Sequence, residues 1–242
     1  AEKRMEAKLA SGEKSTPVSV SLEPYFTGDG YDWIHVVLTV GAEADGYPLT
    51  LYLNGTSAGT ATGEIPFSEL SPQTAYFGQF SFDDIYITNI CLSPEKILLL
   101  NKSELISFVA MESSSWEDPE GAEDPFSEND DPQNGSEPVS GVTDFSWAAY
   151  TFDSSFYIGR DLNDKYPAAV NAAKIGVVDT ANYDGDTGKA IARREGVVPA
   201  AYMTLNRGIL YQADSFSIAL RVHRSSGAGY TTGTVFEFSG TG

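Results

Sequence analysis

The chain has 242 residues, 41% hydrophobic and 12% aromatic, which is enough apolar mass for a sizeable core and too much for a wholly disordered protein. A formal net charge of -19 leaves no cationic stripe to neutralise phosphates, so nucleic acid and anionic lipid are poor partners. No apolar run approaches the length of a membrane span and no signal peptide is visible at Ala1, so a soluble chain without membrane insertion is expected; a mature secreted protein would look the same.

In chain order, alternating apolar runs over Met5–Leu9, Val18–Leu22, Ile34–Val40, Leu49–Leu53, Thr74–Phe80 and Ile85–Ile90 predict strands, with Gly, Ser, Thr and Asn at the breaks. Asn54-Gly55 after the fourth run is a hairpin-turn signal. Ser93-Pro94 predicts the start of a short helix, with Ser93 as the cap and Pro94 at the first helical position. Cys91 is the only cysteine; it excludes a disulfide framework within the chain, and its apolar neighbours Ile90 and Leu92 predict a buried, inert thiol.

Residues 99–142 change character. No Lys or Arg occurs between Lys102 and Arg160, whereas thirteen acids do. The segment reads as a solvated linker or long loop, or more sharply as a calcium-organised loop through Glu128-Asn129-Asp130-Asp131, although the EF-hand spacing is absent. Strands return at Ala148–Phe152, Ala190–Arg193, Ala201–Leu205, Ser215–Val222 and Thr234–Phe238. Almost nothing has helical period, and short strands at this spacing predict an all-β sandwich.

Two blocks of motifs resemble laminin G-like and pentraxin-like jelly rolls of the concanavalin A-like kind. Trp33-Ile34-His35-Val36 followed by Leu49-Thr50-Leu51-Tyr52-Leu53-Asn54-Gly55 resembles their central hairpin. Phe82-Asp83-Asp84-Ile85-Tyr86-Ile87 and Leu92-Ser93-Pro94-Glu95-Lys96-Ile97 resemble the closing strand and helical turn. Ala149-Tyr150-Thr151-Phe152-Asp153, Asp161-Leu162-Asn163-Asp164, Asp186-Thr187-Gly188-Lys189-Ala190, and Ala201-Tyr202-Met203 with Ser215–Val222 are similar to the opening half, with Arg221 where the family usually places an aromatic. The resemblance therefore divides the chain into a closing half at 1–98, the acidic segment at 99–142, and an opening half at 143–242.

These halves stand in reversed order. Joining Gly242 to Ala1 would repair it, running Phe236–Gly242 into Lys3–Leu9, a Ser11-Gly12-Glu13 turn and Val18–Leu22 as a meander. A circular permutant closed in one chain, an exchange between neighbouring chains, and a window cut from tandem domains all give this order. Half a sandwich leaves open edges and an uncovered apolar face, so complementation within or between chains is required.

The chemistry points to binding. The chain has two histidines, His35 and His223, both in predicted strands and both read as structural. It lacks a Ser-His-Asp pattern with supporting context, a Gly-x-Ser-x-Gly elbow, and the paired-carboxylate strand of jelly-roll glycosidases, so no enzyme activity is expected. The resemblance implies calcium in loops at one sandwich edge, with Asp161, Asn163 and Asp164 as oxygen ligands and Asp153 or Asp83 contributing; Asp and Asn in loops also serve simply as turn formers. Tyr25, Tyr47, Tyr157, Tyr166, Tyr183 and Tyr230 lie in predicted loops where an exposed ring could stack on a sugar; of these Tyr157, Tyr166 and Tyr183 are the ligand-binding candidates. Asn54, Asn101 and Asn134 sit in glycosylation sequons. The expected function is an extracellular or cell-surface adhesion module that binds a glycan or a cell-surface protein. The alternative is a structural subunit that self-associates through complementary half-domains.

Overall fold

The computed structural model describes residues 4–11, 13–27, 30–31, 33–63, 65, 75–77, 80–103, 105, 107–109, 147–152, 161–162, 165–170, 175–179, 189–193, 201–204, 210, 213–224 and 232–240. The first half contributes β1 (Arg4–Ser11), β2 (Lys14–Ser21), β3 (Phe26–Thr27), β4 (Gly30–Tyr31), β5 (Ile34–Val40), β6 (Pro48–Leu53), β7 (Thr56–Thr62), β8 (Ala75–Phe77), β9 (Phe80–Thr88) and α1 (Pro94–Lys102). The second contributes β10 (Trp147–Tyr150), β11 (Ala169–Val170), β12 (Ile175–Asp179), β13 (Lys189–Arg193), β14 (Ala201–Thr204), β15 (Phe216–Arg224) and β16 (Thr232–Gly240). The described part is all-β apart from α1 and short helical turns.

The main sheet runs β12-β13-β9-β15-β5-β6-β7, with β10 beside β13 on the same flank of β9. Its pairings are antiparallel throughout. β15, from the second half of the sequence, lies between β5 and β9 of the first: Leu220 faces Val36 on one side, and Ile218 faces Ile87 on the other. Strands from both ends of the sequence thus share this sheet.

Period-two alternation sorts the side chains. Ile34, Val36, Leu38 and Val40 of β5 join Leu49, Leu51, Leu53, Phe82, Ile85, Ile87, Ile218, Leu220 and Val222 in one core. A second sheet, β16-β1-β2, lays Met5, Ala7, Leu9, Val18 and Val20 over that core, giving a sandwich. On the opposite face of the main sheet Val37, Tyr86, Ala149 and Ala219 lie under Ile97 and Leu100 of α1 and under Leu105, Phe108 and Val109. With both faces covered, every residue of β5 is buried. The expected acidic linker (99–142) thus begins inside the fold, and its residues 104, 106 and 110–142 lie outside the described residues.

Local signals work as physical chemistry requires. Asn54 and Gly55 both adopt positive φ, 48° and 78°, which a two-residue hairpin of the right twist needs between β6 and β7. Asn54 also accepts the His35 backbone N–H on Oδ1 at 2.9 Å and donates its own N–H to the His35 carbonyl at 2.8 Å. α1 begins with the Ser93 hydroxyl accepting from the Lys96 N–H and with Pro94 in the first turn. Pro17 is tolerated because β2 pairs only with β1 and is an edge.

Three expectations are corrected. The meander from the C-terminal strand into the N-terminal one is not formed: β1 and β16 are parallel neighbours, in register from Arg4 beside Thr232 to Ser11 beside Gly240. A meander needs antiparallel neighbours, and joining parallel strands takes a crossover. The sheet β16-β1-β2 is accordingly mixed rather than antiparallel. The predicted strand Ile85–Ile90 begins earlier, at Phe80, as β9, which carries on through Asp83-Asp84 to Thr88; of the predicted run Thr74–Phe80, Ala75–Phe77 is β8, and residues 74, 78 and 79 lie outside the described residues.

Gly59 of β7 fixes how closely the two sheets approach, since a Cβ there would stand 2.8 Å from Val20 Cγ1 and 3.3 Å from Val18 Cγ1. Gly59→Ala is expected to destabilise the sandwich by roughly 1–3 kcal/mol through overpacking, read from the midpoint of denaturant unfolding.

Candidate functional site

The loop after β10 carries Asp161, the one of the three leading metal-ligand candidates that falls within the described residues; the additional candidate Asp83 lies on β9, where its Oδ1 accepts the Asp84 N–H at 2.9 Å. Asp161 is fully buried. Its Oδ1 accepts the backbone N–H of Ala149 at 2.9 Å, and its Oδ2 accepts that of Tyr166 at 2.9 Å. The Leu162 N–H donates back to the Ala149 carbonyl at 2.9 Å, and the Tyr150 hydroxyl donates to the Tyr166 carbonyl at 2.6 Å. One carboxylate therefore ties a strand to the loop that returns beside it, while the next residue, Leu162, is 41% exposed. The Tyr150 hydroxyl is held protonated: burial first, then the Asp161 charge, raises its pKa.

Asn163 and Asp164, the other two leading metal-ligand candidates, lie outside the described residues, as do Asp153, Tyr157, Tyr183 and Tyr230. Among the described residues no group of three or more His, Cys, Asp or Glu is arranged to hold a metal ion. Tyr166 is half-buried and packs against the sandwich core, as does Tyr25. Tyr47 is buried at 7% exposure rather than standing in an open loop. Its φ of 47° after Gly46 turns the chain inward, and its carbonyl accepts from the Gly63 N–H at 2.9 Å.

A second polar cluster lies where β5, β9 and β15 pass under α1. Arg221 is 3% exposed and pairs through Nε with Asp84 Oδ2 at 3.2 Å. Its Nη2 reaches the carbonyls of Asn101 at 3.4 Å and Ser103 at 3.1 Å, where α1 ends. A buried guanidinium on the terminal carbonyls suits the negative end of the helix dipole. Asp84 is brought into place by a bulge, at which the β9–β15 register shifts between Ala219 and Arg221, and by its own φ of 50°. Burial pulls the Arg221 pKa down, and the Asp84 charge opposes that fall.

His35 sits across the β5–β15 ladder from Arg221 and is 3% exposed. Its Nδ1 has no hydrogen-bond partner among the described residues. Burial, and secondly the Arg221 charge, pushes the His35 pKa down to about 3, so the ring is neutral at ordinary pH. The expectation of a structural His35 agrees with its place in the sheet. His223 packs its ring on Trp33, with centroids 5.3 Å apart, at the end of the same two strands.

Cys91 is exposed, against the expectation of burial. Backbone bonds explain this: the Cys91 N–H donates to Ser215 Oγ at 3.1 Å and the Leu92 N–H to Ser217 Oγ at 2.8 Å, so Leu92 turns inward and Cys91 outward. Partial desolvation still raises the thiol pKa, only partly offset by the Thr39 side chain, which leaves it a weak nucleophile. Sequence reasoning missed the pairing of Arg221 with Asp84. The available signal was an arginine in the otherwise apolar alternation of β15. Comparison with protein-family models, with curated proteins and with solved structures returns no match.

Asp161→Ala is expected to cost roughly 2–6 kcal/mol, because two backbone N–H groups lose their acceptor in a buried place. Denaturant melts that differ from the parent by less than about 1 kcal/mol would show that the carboxylate is dispensable.

Proposed function

We propose that the protein is an extracellular or cell-surface, non-catalytic module for binding or adhesion, built as a jelly roll of the laminin G-like kind, that recognises a glycan or a protein surface with the assistance of calcium. The observation that carries this reading is the loop braced by Asp161, which is tied to β10 through a buried carboxylate and turns Leu162 out to solvent one residue later. Loops held by a rigid sandwich are where binding groups concentrate. Asn163 and Asp164 follow at once in the sequence and would supply hard oxygen ligands beside it.

Two findings support a non-catalytic role. The His35 imidazole is sealed under α1 and neutral, away from any proton it could exchange with a substrate, and the Cys91 thiol is held protonated. The placing of β15 between β5 and β9 supports the jelly-roll assignment, since it joins the two reversed blocks in one sheet. The test is retention on a glycan array with calcium and with chelator. Calcium-dependent retention on a subset of glycans is expected, and a flat response with every glycan removes glycan recognition.

The parallel pairing of β16 with β1 favours a second reading, a structural subunit of an extracellular assembly. Strands from opposite ends of the sequence meet there, and among the described residues β16 pairs with β1 alone in its sheet. A neighbouring chain could supply the same strand in the same register. Sedimentation across a concentration series would then show growing oligomers, whereas a strict monomer excludes the exchange.

A further inference from the structure

Among the described residues, the face of the main sheet turned away from the sandwich core is covered by α1 with Leu105, Phe108 and Val109. Three sets of contacts hold it. At its start Ser217 Oγ donates to the Ile90 carbonyl at 2.8 Å and accepts from Leu92 N–H, while Ser215 takes Cys91 N–H. Along its length Ile97, Leu100, Leu105, Phe108 and Val109 bury against Val37, Tyr86, Ala149 and Ala219. At the end of α1 a single side chain, Arg221, holds the Asn101 and Ser103 carbonyls.

His35 stands beside that last attachment. Its strand neighbour Asn54 belongs to the turn whose Gly55 lies under Leu98 and Asn101 of α1, within 3.6 Å of a Cβ position there. Among the described residues the charged groups around the ring are Arg221 on β15 and Asp84 and Asp83 on β9, both of which act on Arg221; α1 brings Glu95, Lys96 and Lys102. A proton on His35 would add a second buried cation next to the guanidinium, with only the Asp84 side of the corner to balance it.

We propose that α1 with Leu105, Phe108 and Val109 forms an acid-released strap: protonation of His35 detaches the strap from the main sheet, hydrates the His35–Arg221 corner and bares the apolar face of Val37, Tyr86, Ala149 and Ala219, while the sandwich behind stays paired. The separation is built into the fold. The strap shares its cluster with one face of β5 and β15, whereas Val36, Leu38, Ile218 and Leu220 on the other face belong to the sandwich core.

The sign follows from linkage. His35 titrates near 6.5 when hydrated and about 3 when sealed, so the closed strap is fully favoured above pH 6.5 and loses ground as pH falls from there toward 3. The opening constant rises about 3-fold from about pH 7 to about pH 6 and about 8-fold from there to about pH 5, roughly 25-fold in all.

Amide hydrogen exchange, expressed as protection factors on the intact chain and on His35→Leu, tests this. In the parent the amides of α1 are expected to lose roughly 25-fold protection between about pH 7 and about pH 5, those of Leu38 and Ile218 to keep theirs, and the variant to show no change at α1. Unchanged protection at α1 in the parent would overturn the proposal, as would an equal loss at Leu38 and Ile218, which is global acid unfolding. If His35→Leu does not fold, His35→Gln takes its place, and a variant that opens with pH as the parent does would assign the effect to another group.

Discussion

β15 has to satisfy neighbours in four directions. It hydrogen-bonds to β5 on one side and to β9 on the other, and it feeds Phe216, Ile218, Leu220 and Val222 into the sandwich core. Its other face supplies Ser217 to hold the entry to α1, Ala219 to pack beneath the cover, and Arg221 to hold the exit of α1. The sandwich and its outer layer are therefore two consequences of one strand. Removing it would separate β5 from β9 and deprive α1 of attachments at both ends. The chain completes its main sheet only when residues near position 220 reach residues near positions 36 and 86.

The outer layer is made from unlike materials. Its apolar part is ordinary packing, but five of its buried polar residues, His35, Thr39, Thr88, Ser217 and Arg221, lie on the central strands themselves. Polar groups under a helix are costly unless each is matched. Ser217 and Arg221 are matched to backbone atoms of the covering chain, which makes them positional as well as satisfied. His35 Nδ1 and Thr88 Oγ1 are not so matched among the described residues.

Much of the fold was legible locally. Ile34–Val40 and Leu49–Leu53 read as strands because their apolar residues recur at the pleat, Asn54-Gly55 because only such residues accept two positive φ angles in succession, and Ser93-Pro94 because a cap and a fixed φ start a helix. β7 was not legible: Thr56–Thr62 is a largely exposed edge, with no large apolar side chain to mark it. The parallel pairing of β1 and β16 was hidden because either direction of pairing presents the same alternation to the core. At the loop after β10 the sequence gives an Asp in a turn-forming stretch, and nothing near it shows that the carboxylate spans two backbone N–H groups. Tyr47 and Cys91 were misplaced for a related reason, since inward or outward direction there is set by backbone bonds to Gly63 and Ser215.

The parallel register of β1 and β16 has a mechanical consequence. Arg4, where β1 begins, lies beside Thr232, and Gly240, where β16 ends, lies beside Ser11. Tension that enters at the Arg4 end and leaves at the Gly240 end pulls the two strands past each other along their length. All the rungs between them are then loaded together instead of being peeled one at a time from an end. The fold would resist force best along this axis, through a pair of strands of which one, β1, also carries Met5, Ala7 and Leu9 into the core.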